Sequence, residues 1–577
     1  MRSARFAAVI GITVAAFGTL SLNSPGTAHA LGPLTMATAS ALPTVGGGTA
    51  DGGTEPRETV VSTGAHPGYY VISNVSSTAT VWESNDGGKT DPWHITGAIA
   101  NQTQPSIDVD IASMPAGSAH PGRLIAVELD FAVISFDISY SDDGGVNWTV
   151  SGTAPFNLNA LPGGHLADQD RPWLATGPGD RAYLLFHNLA SGTVTHNMYV
   201  ETSTDDGANF AAPTPVTTPG TQAFTDLQCA DSGGPTNLFV NPRDGRVYAV
   251  FGTRSAQPAG GGCAASITGP FEVNVVAATR VWVATAPVGG TTDPTQWQQS
   301  LAVDDLLTGQ IVGMQLAPGA LDSADNLFIL YPESVTTYPN YDGAAIKYVH
   351  ATQTDIVANP FGALGPAHQI WSATVTVAAS GGAGHLLPHI VAGGPGEIDF
   401  AYFEGDEIAG ATPATSANWF LVAGQTLDAL DANPAITTLR VSYPGSPVQP
   451  QAAYGKETAS QMMGACGTGP AAGVENGTIC GRSTDVWGIA LDAAGGLQVT
   501  WPSASAGNFG CSSTVTAPPP CTTWVTTQTD GPTIAPPGPG QNVPEAPVAV
   551  ALTVIGGGAA MLGLAWSRRS RRRTSIA

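Results

Sequence analysis

The stretch Asp168-Gln169-Asp170-Arg171-Pro172-Trp173 sets two carboxylates, a guanidinium and an indole side by side. An arginine fork presents paired N–H donors to a carboxylate, and an aromatic face stacks against the apolar side of a sugar ring. The group therefore suits a sugar or carboxylate ligand. A buried ion pair that pins the start of a strand would use the same residue types, and both readings stand. A similar set recurs as Arg482, Asp485 and Trp487 in GRSTDVWGIA. Smaller groups accompany them. Asp108 and Asp110 alternate along one strand and share a face. His385 and His389 form an H-x3-H, but HExxH is absent and Pro388 opposes a helix, so no metal site is expected. Glu404, Asp406 and Glu407 form an acidic loop that would hold at most a loosely bound calcium. A Gly-x-Ser-x-Gly nucleophile elbow is missing, and the glycines sit in turns without a following helix, which argues against dinucleotide and phosphate-loop cofactors.

Positioning falls to short strands. An apolar run, a Gly/Pro/Asp turn and an alternating run recur seven times: TVVSTGAHPGYYVIS from Thr59, SIDVDIASMPAGSAHPGRLIAVELD from Ser106, RPWLATGPGDRAYLLFHN from Arg171, NLFVNPRDGRVYAVFGT from Asn237, QLAPGALDSADNLFILYPE from Gln315, PHIVAGGPGEIDFAYFEG from Pro388 and VWGIALDAAGGLQVTWPS from Val486. Further strand-like runs lie near Val281, Tyr348 and Phe420, and long helical periodicity is absent between the two ends of the chain. Many short strands repeating at roughly 65 residues fit four-stranded blades arranged radially, which leaves few exposed edges. The expected fold is an all-β propeller over residues 55–530. Seven blades are counted, and six are possible if the last unit completes a blade begun at the N-terminus or one hairpin is an insertion. In such a fold, residues just before each inner strand converge on one mouth of the central channel.

A second repeat lies between strands. Ser141-x-Asp143-x-Gly145 followed by Trp148 is echoed by Ser84, Asp86, Gly88 with Trp93, and by Ser203, Asp205, Gly207 with Phe210. Aspartate folds back on backbone amides, glycine takes positive φ and the aromatic packs under the turn, so the motif is a staple that needs no chemistry of its own. The pattern resembles the Asp box, or BNR repeat, of the sialidase superfamily. The resemblance implies a sialidase-like propeller acting on or binding glycans, with the boxes as structural turns. It further implies three arginines on a substrate carboxylate, an aspartate acid/base, and a tyrosine nucleophile activated by glutamate. The best positioned arginines here are Arg57, Arg171 and Arg482, with Asp170 or Asp485 as the acid and Tyr454 with Glu457 as the nucleophile pair. The family's Phe-Arg-Ile-Pro motif has only Glu55-Pro56-Arg57 as a counterpart. A noncatalytic propeller for glycan or protein recognition is the alternative.

The ends give the expected address. Arg2 and Arg5, an apolar run and Ala28-His29-Ala30 read as a secretory signal over residues 1–30, followed by a flexible segment over 31–54. Residues 546–566 are uncharged and mostly apolar, long enough to cross roughly 30 Å of hydrocarbon, and the arginines of the tail 567–577 mark its cytoplasmic end. A Pro/Gly-rich linker over 531–545 precedes it. The order Pro544-Glu545-Ala546-Pro547, apolar helix and arginines resembles the sorting signals of exosortase-type transpeptidases. Without these ends, 13 basic residues face 43 acidic ones, which disfavours nucleic acid as a partner. The six cysteines of an exported chain are expected in disulfides, with adjacent pairing (Cys229 with Cys263, Cys466 with Cys480, Cys511 with Cys521) closing three surface loops.

Overall fold

A computed structural model describes residues 32–43, 54–75, 78–99, 105–130, 135–153, 169–188, 196–227, 234–253, 277–304, 311–313, 317–334, 344–362, 370–381, 384–407, 417–441, 474–475, 478–479, 487–503 and 522–534. The seven hairpins are the first two strands of seven antiparallel sheets. Blade 1 runs Thr54–Val61, Gly68–Val75, Thr78–Ser84, His94–Ala98, and blade 2 Pro105–Ser113, Leu124–Asp130, Ser135–Ser141, Thr149–Val150. Blade 3 follows as Gln169–Gly177, Arg181–Asn188, Met198–Ser203, Thr214–Pro215, and blade 4 as Pro235–Val240, Val247–Thr253, Arg280–Ala286, Gln298–Asp304. In blade 5 the inner position is shared by Ile311–Gly313 and Gly319–Leu321, beside Leu327–Ser334, Ala345–Ala351 and Val375–Ala378. Blade 6 is Gly384–Ala392, Ile398–Glu407, Ala417–Thr426, Thr437–Arg440, and blade 7 begins with Gly488–Leu491, Leu497–Ser503 and Thr522–Asp530.

The inner strands of neighbouring blades touch in sequence around a closed ring, including blade 7 back to blade 1. The protein is a seven-bladed β-propeller. Its second strands are buried on both faces, as Val247–Thr253 and Leu327–Ser334 are along their whole length, because each sheet is sandwiched between two others. This is why they read as continuous apolar runs and not as an alternation. One core cluster joins blades 1 and 2 through Tyr70, Val81, Ile111 and Leu124, and another joins blades 2 and 3 through Ile125, Leu129, Leu184 and Phe186.

The N-terminal segment corrects an expectation. Thr35–Met36 and Ser40–Ala41 pair with Thr522–Asp530 and supply the outer strand of blade 7. Ala37 N–H donates to Thr527 O at 2.8 Å, Leu42 N–H to Thr523 O at 2.9 Å, and Trp82 Nε1 of blade 1 to Pro43 O at 2.9 Å. Residues 35–41 are therefore a latch, because the exposed edge of the third strand offers them backbone partners. The linker also begins later than expected. Ile534 is buried and its N–H donates to Gly495 O, while Pro532 O accepts from Gln425 and Gln528.

Each serine–aspartate turn connects the third and fourth strands of its blade. Ser141 Oγ accepts from Gly145 N at 2.9 Å, Asp143 accepts from Asn147 N at 2.8 Å, and Trp148 Nε1 donates to Gly145 O at 2.9 Å. Gly145 has φ +83°, and a Cβ there would sit 2.8 Å from Thr96 Oγ1, so the position demands glycine. Ser84 with Gly88 and Ser203 with Gly207 repeat the bond at 2.8 and 2.9 Å. A related turn in blade 6 escaped the sequence pattern: Thr426 Oγ1 bonds Asp428, which accepts from Ala435 N.

Among the described residues no helix is long and apolar enough to cross a membrane. The run 546–566, the signal 1–30 and all six cysteines lie outside those residues.

Candidate functional site

Five inner strands break register near their first residues, between Thr54 and Arg57, Pro105 and Val109, Asp170 and Trp173, Pro235 and Asn237, and Leu386 and His389. A bulge bends the strand and re-aims the side chain that follows it. Proline suits these positions because the extra residue leaves the hydrogen-bonded ladder, and Pro56, Pro172 and Pro388 stand directly before Arg57, Trp173 and His389. In two bulges the residue before proline adopts positive φ, +58° at Arg171 and +51° at Leu387. Non-glycine residues resist that conformation, and the surrounding sheet must hold them there.

The re-aimed side chains meet at the axis. Arg57 reaches from blade 1 to blade 2, where Nε and Nη2 each donate to Asp110 at 3.2 Å. Its guanidinium carbon lies 3.8 Å from the ring centroid of Trp173 in blade 3. Asp110 also accepts from Leu174 N at 2.7 Å and from its own neighbour Ile111 N at 2.8 Å, so the carboxylate is fully occupied. Burial pushes its carboxyl up, and the Arg57 charge with these donors pulls against that push. Arg57 Nη1 has no acceptor among the described residues.

On the other side, the ring of His389 packs on Trp487 with centroids 4.3 Å apart. Neither His389 nitrogen has a hydrogen-bond partner among the described residues, and buried Nε2 is unsatisfied. Burial, then the nearby Arg57 charge, hold its pKa well below the usual histidine range, so the ring is neutral at physiological pH. Each indole is tied to the bulge of an adjacent blade. Trp173 Nε1 donates to Pro235 O at 3.2 Å, and Trp487 Nε1 to Leu387 O at 3.1 Å.

These residues line a cavity of about 430 Å³ that runs along the inner strands of all seven blades. Exposure varies along it. Arg57, Trp173, His389 and Trp487 are 6, 5, 3 and 0% exposed, whereas Thr59, Ser113, Thr176, Phe239, Val391 and Leu491, nearer the hairpin turns, are half-buried. Blades 1 to 3 give that wall hydroxyls: Thr59 Oγ1 donates to Ser113 Oγ at 3.3 Å and Thr176 Oγ1 to Ser113 O at 2.7 Å. Blades 4 to 7 give it Phe239, Val240, Leu321, Val391 and Ile489.

Of the expected site residues, Arg57, Trp173 and Trp487 converge here. Arg171 does not line the cavity, because its positive φ turns the chain at the bulge and hands the inward position to Trp173. Asp170 pairs with His187 across the sheet through the backbone. Arg482, Asp485, Tyr454 and Glu457 lie outside the described residues. Asp110 and His389, given less weight from sequence, stand at the centre. The overlooked signal was proline: a Pro-x step at the start of an inner strand marks the inward residue in blades 1, 3 and 6.

The acidic loop is a further correction. Glu404 and Asp406 lie on the strand Ile398–Glu407, and Arg440 binds both from the edge strand, 2.9 Å from Asp406 through Nη1, with its guanidinium 4.3 Å from the Phe420 ring centroid. His385 bonds Ala344 O at 2.9 Å and does not join His389. Among the described residues there is no cluster of three metal-ligating side chains.

No family model matches this chain, and no curated protein does. Solved structures similar to it include an α-L-arabinofuranosidase, Arb93A of Fusarium graminearum, with an iminosugar inhibitor (TM-score 0.40, 10% identity, 85% of this chain and 97% of that one). Also similar are a PL25 ulvan lyase bound to a glucuronate–rhamnose sulfate repeat (0.40, 10%, 81% and 93%) and a protein of unknown function from Dyadobacter fermentans (0.40, 11%, 87% and 99%). At these TM-scores the superpositions add nothing to the fold, which rests on this chain's own strand pairing.

Proposed function

We propose that this chain is an exported, membrane-tethered, sialidase-like propeller that binds a carboxylate-bearing sugar of a cell-surface glycan in its central channel. The observation that carries the reading is Arg57, locked by Asp110 and the Trp173 face with Nη1 left for a ligand. A preorganised guanidinium loses little entropy on binding, and the Trp173 indole beneath it is what holds it in place. The serine–aspartate turns support the Asp-box reading, since their bonds are the ones a structural staple requires. The sequence supports the signal, the anchor over 546–566 and the three disulfides. The chain leaves the described propeller at Ile534, beside the hairpin turn of blade 7, and an anchor beyond it would set the turn end of the channel toward the bilayer.

Recognition is favoured over hydrolysis by the lining itself: among the described residues it holds one arginine and no tyrosine, and of its two carboxyls Asp110 is committed to Arg57 and Glu58 is held by Gln498. The test is calorimetric titration of the purified full chain in detergent with acidic and neutral glycans. Arg57→Lys, which keeps the charge but loses the fork, is expected to weaken acidic-glycan binding about tenfold. Arg57→Gln with Asp110→Asn, which leaves no charge stranded, is expected to abolish it. Binding untouched in both would end the proposal. Turnover of a fluorogenic sialic acid glycoside would instead favour a hydrolase built on Asp170, Asp485, Tyr454, Glu457 and Arg482.

A further inference from the structure

Arg57 and His389 line the same cavity from blades 1 and 6, and their chemistries are opposite. Arg57 has only N–H to give. His389 in its neutral form carries one nitrogen lone pair and one N–H, and neither nitrogen is engaged within the described protein. Its ring cannot swing freely, because Trp487 packs against one face at 4.3 Å and the Leu387-Pro388 bulge fixes its backbone. An acceptor held this rigidly and left empty, on the same cavity as a donor held equally rigidly, defines a two-point site.

We infer that the channel selects a uronate-type sugar, one whose carboxylate accepts from Arg57 while a hydroxyl on the adjoining ring carbon donates to His389. This deepens the glycan reading and rests on it. Asp110 already offsets the Arg57 charge, so the pair holds a bare carboxylate through one remaining nitrogen and with a weakened field. The second bond therefore decides which carboxylated sugar is preferred. A lone pair on His389 repels carboxylate oxygen but receives a hydroxyl proton, and the low pKa of the ring keeps that lone pair available. A uronate carries its 4-hydroxyl on the carbon next to the one that bears the carboxylate. An α-sialoside has a methylene on the corresponding ring carbon and offers no such donor. The inference thus departs from the sialic acid ligand that the Asp-box resemblance implies.

The experiment titrates the purified full chain in detergent with methyl β-D-glucuronide and methyl α-D-galacturonide, the 4-deoxy analogue of the glucuronide, methyl β-D-xyloside, which lacks the carboxylate, and methyl α-N-acetylneuraminide. At least one uronide is expected to bind about tenfold or more tightly than its 4-deoxy analogue and the sialoside, the scale of one buried hydrogen bond. The xyloside is expected to bind most weakly. His389→Phe keeps the ring on Trp487 and removes the acceptor, so it should erase the preference for the 4-hydroxyl while leaving the dependence on Arg57. His389→Gln, which restores an acceptor, should recover part of it. A sialoside that binds as tightly as the uronides, with that binding lost in Arg57→Gln with Asp110→Asn, overturns the inference and leaves the glycan proposal standing. Discrimination retained in a folded His389→Phe variant also overturns it. If no acidic sugar binds the folded chain, both fall.

Discussion

Ser141 and Asp143 show how much one turn residue does without touching a ligand. Ser141 Oγ is the acceptor for the buried Gly145 N–H, and Asp143 takes two donors from Asn147. Ser141→Ala strands the amide, and chemical denaturation should report a loss of about 1–3 kcal/mol with sugar binding unchanged, because the turn follows the third strand of blade 2 and does not line the cavity. Burial alone would raise the carboxyls of Asp86, Asp143 and Asp205, yet the bonds they accept hold all three below their ordinary value. A lowered native pKa contributes stability above the unfolded pKa that disappears as pH falls through the folded one. The turns should therefore weaken only in strong acid. A binding defect in Ser141→Ala would show that the turn reaches the channel.

The bulged inner strand is the element that makes a site from a scaffold. Arg171 and Leu387 each take positive φ before proline, and Trp173 and His389 follow. Strain of this kind is held in place by the rest of the sheet at roughly 1–3 kcal/mol per residue. A β-branched side chain fits the left-handed region worst and glycine fits it best. Arg171→Val is therefore expected to be less stable than Arg171→Gly by about 1–2 kcal/mol, read as the gap between their denaturation midpoints. Both variants lose the arginine side chain, so the comparison isolates the backbone. Equal stability would mean that the bulge relaxes.

Ring closure and buried charge govern the whole molecule. The latch of residues 35–41 joins blade 7 at Thr522–Asp530, nearly 500 residues away in sequence. Deleting residues 32–43 should expose an unpaired strand edge, lower the melting temperature and promote self-association measurable by light scattering. A monomeric deletion variant with an unchanged melting temperature would show that the latch contributes nothing. Burial pushes the carboxyls of Glu58, Glu201 and Asp399 each up to about 8. Over the range between their unfolded values and 8, the folded chain binds more protons than the unfolded one. Stability therefore falls as pH rises and levels off above about 8. Calorimetry from pH 5 to 9 should show a declining melting temperature, and Glu201→Gln should flatten part of the decline; a rising curve would contradict neutral burial of these groups. Glu58 sits at the seam between blades 1 and 7, where Gln498 Nε2 donates to it at 2.6 Å, so part of this pH response belongs to the closure itself.

The seven hairpins, their turn glycines and the serine–aspartate staples were readable from residue order, because each is decided within about twenty residues by alternation, turn chemistry and positive φ. Counting hairpins left six or seven blades open, and the closed ring of seven sheets decided it. What local pattern did not determine was which residues face one another. Arg57 and Asp110 are 53 residues apart, and Trp173 follows 63 residues after Asp110. Their meeting depends on the radius of a seven-membered ring and on bulges that turn side chains inward. Arg171 looked like the ligand arginine because it stands beside Asp170 and Trp173 in sequence, but a strand sends successive residues to opposite faces and the bulge shifts that alternation. The same reason hid His389, which has no charged neighbour in sequence and gains Arg57 and Trp487 only when the ring closes.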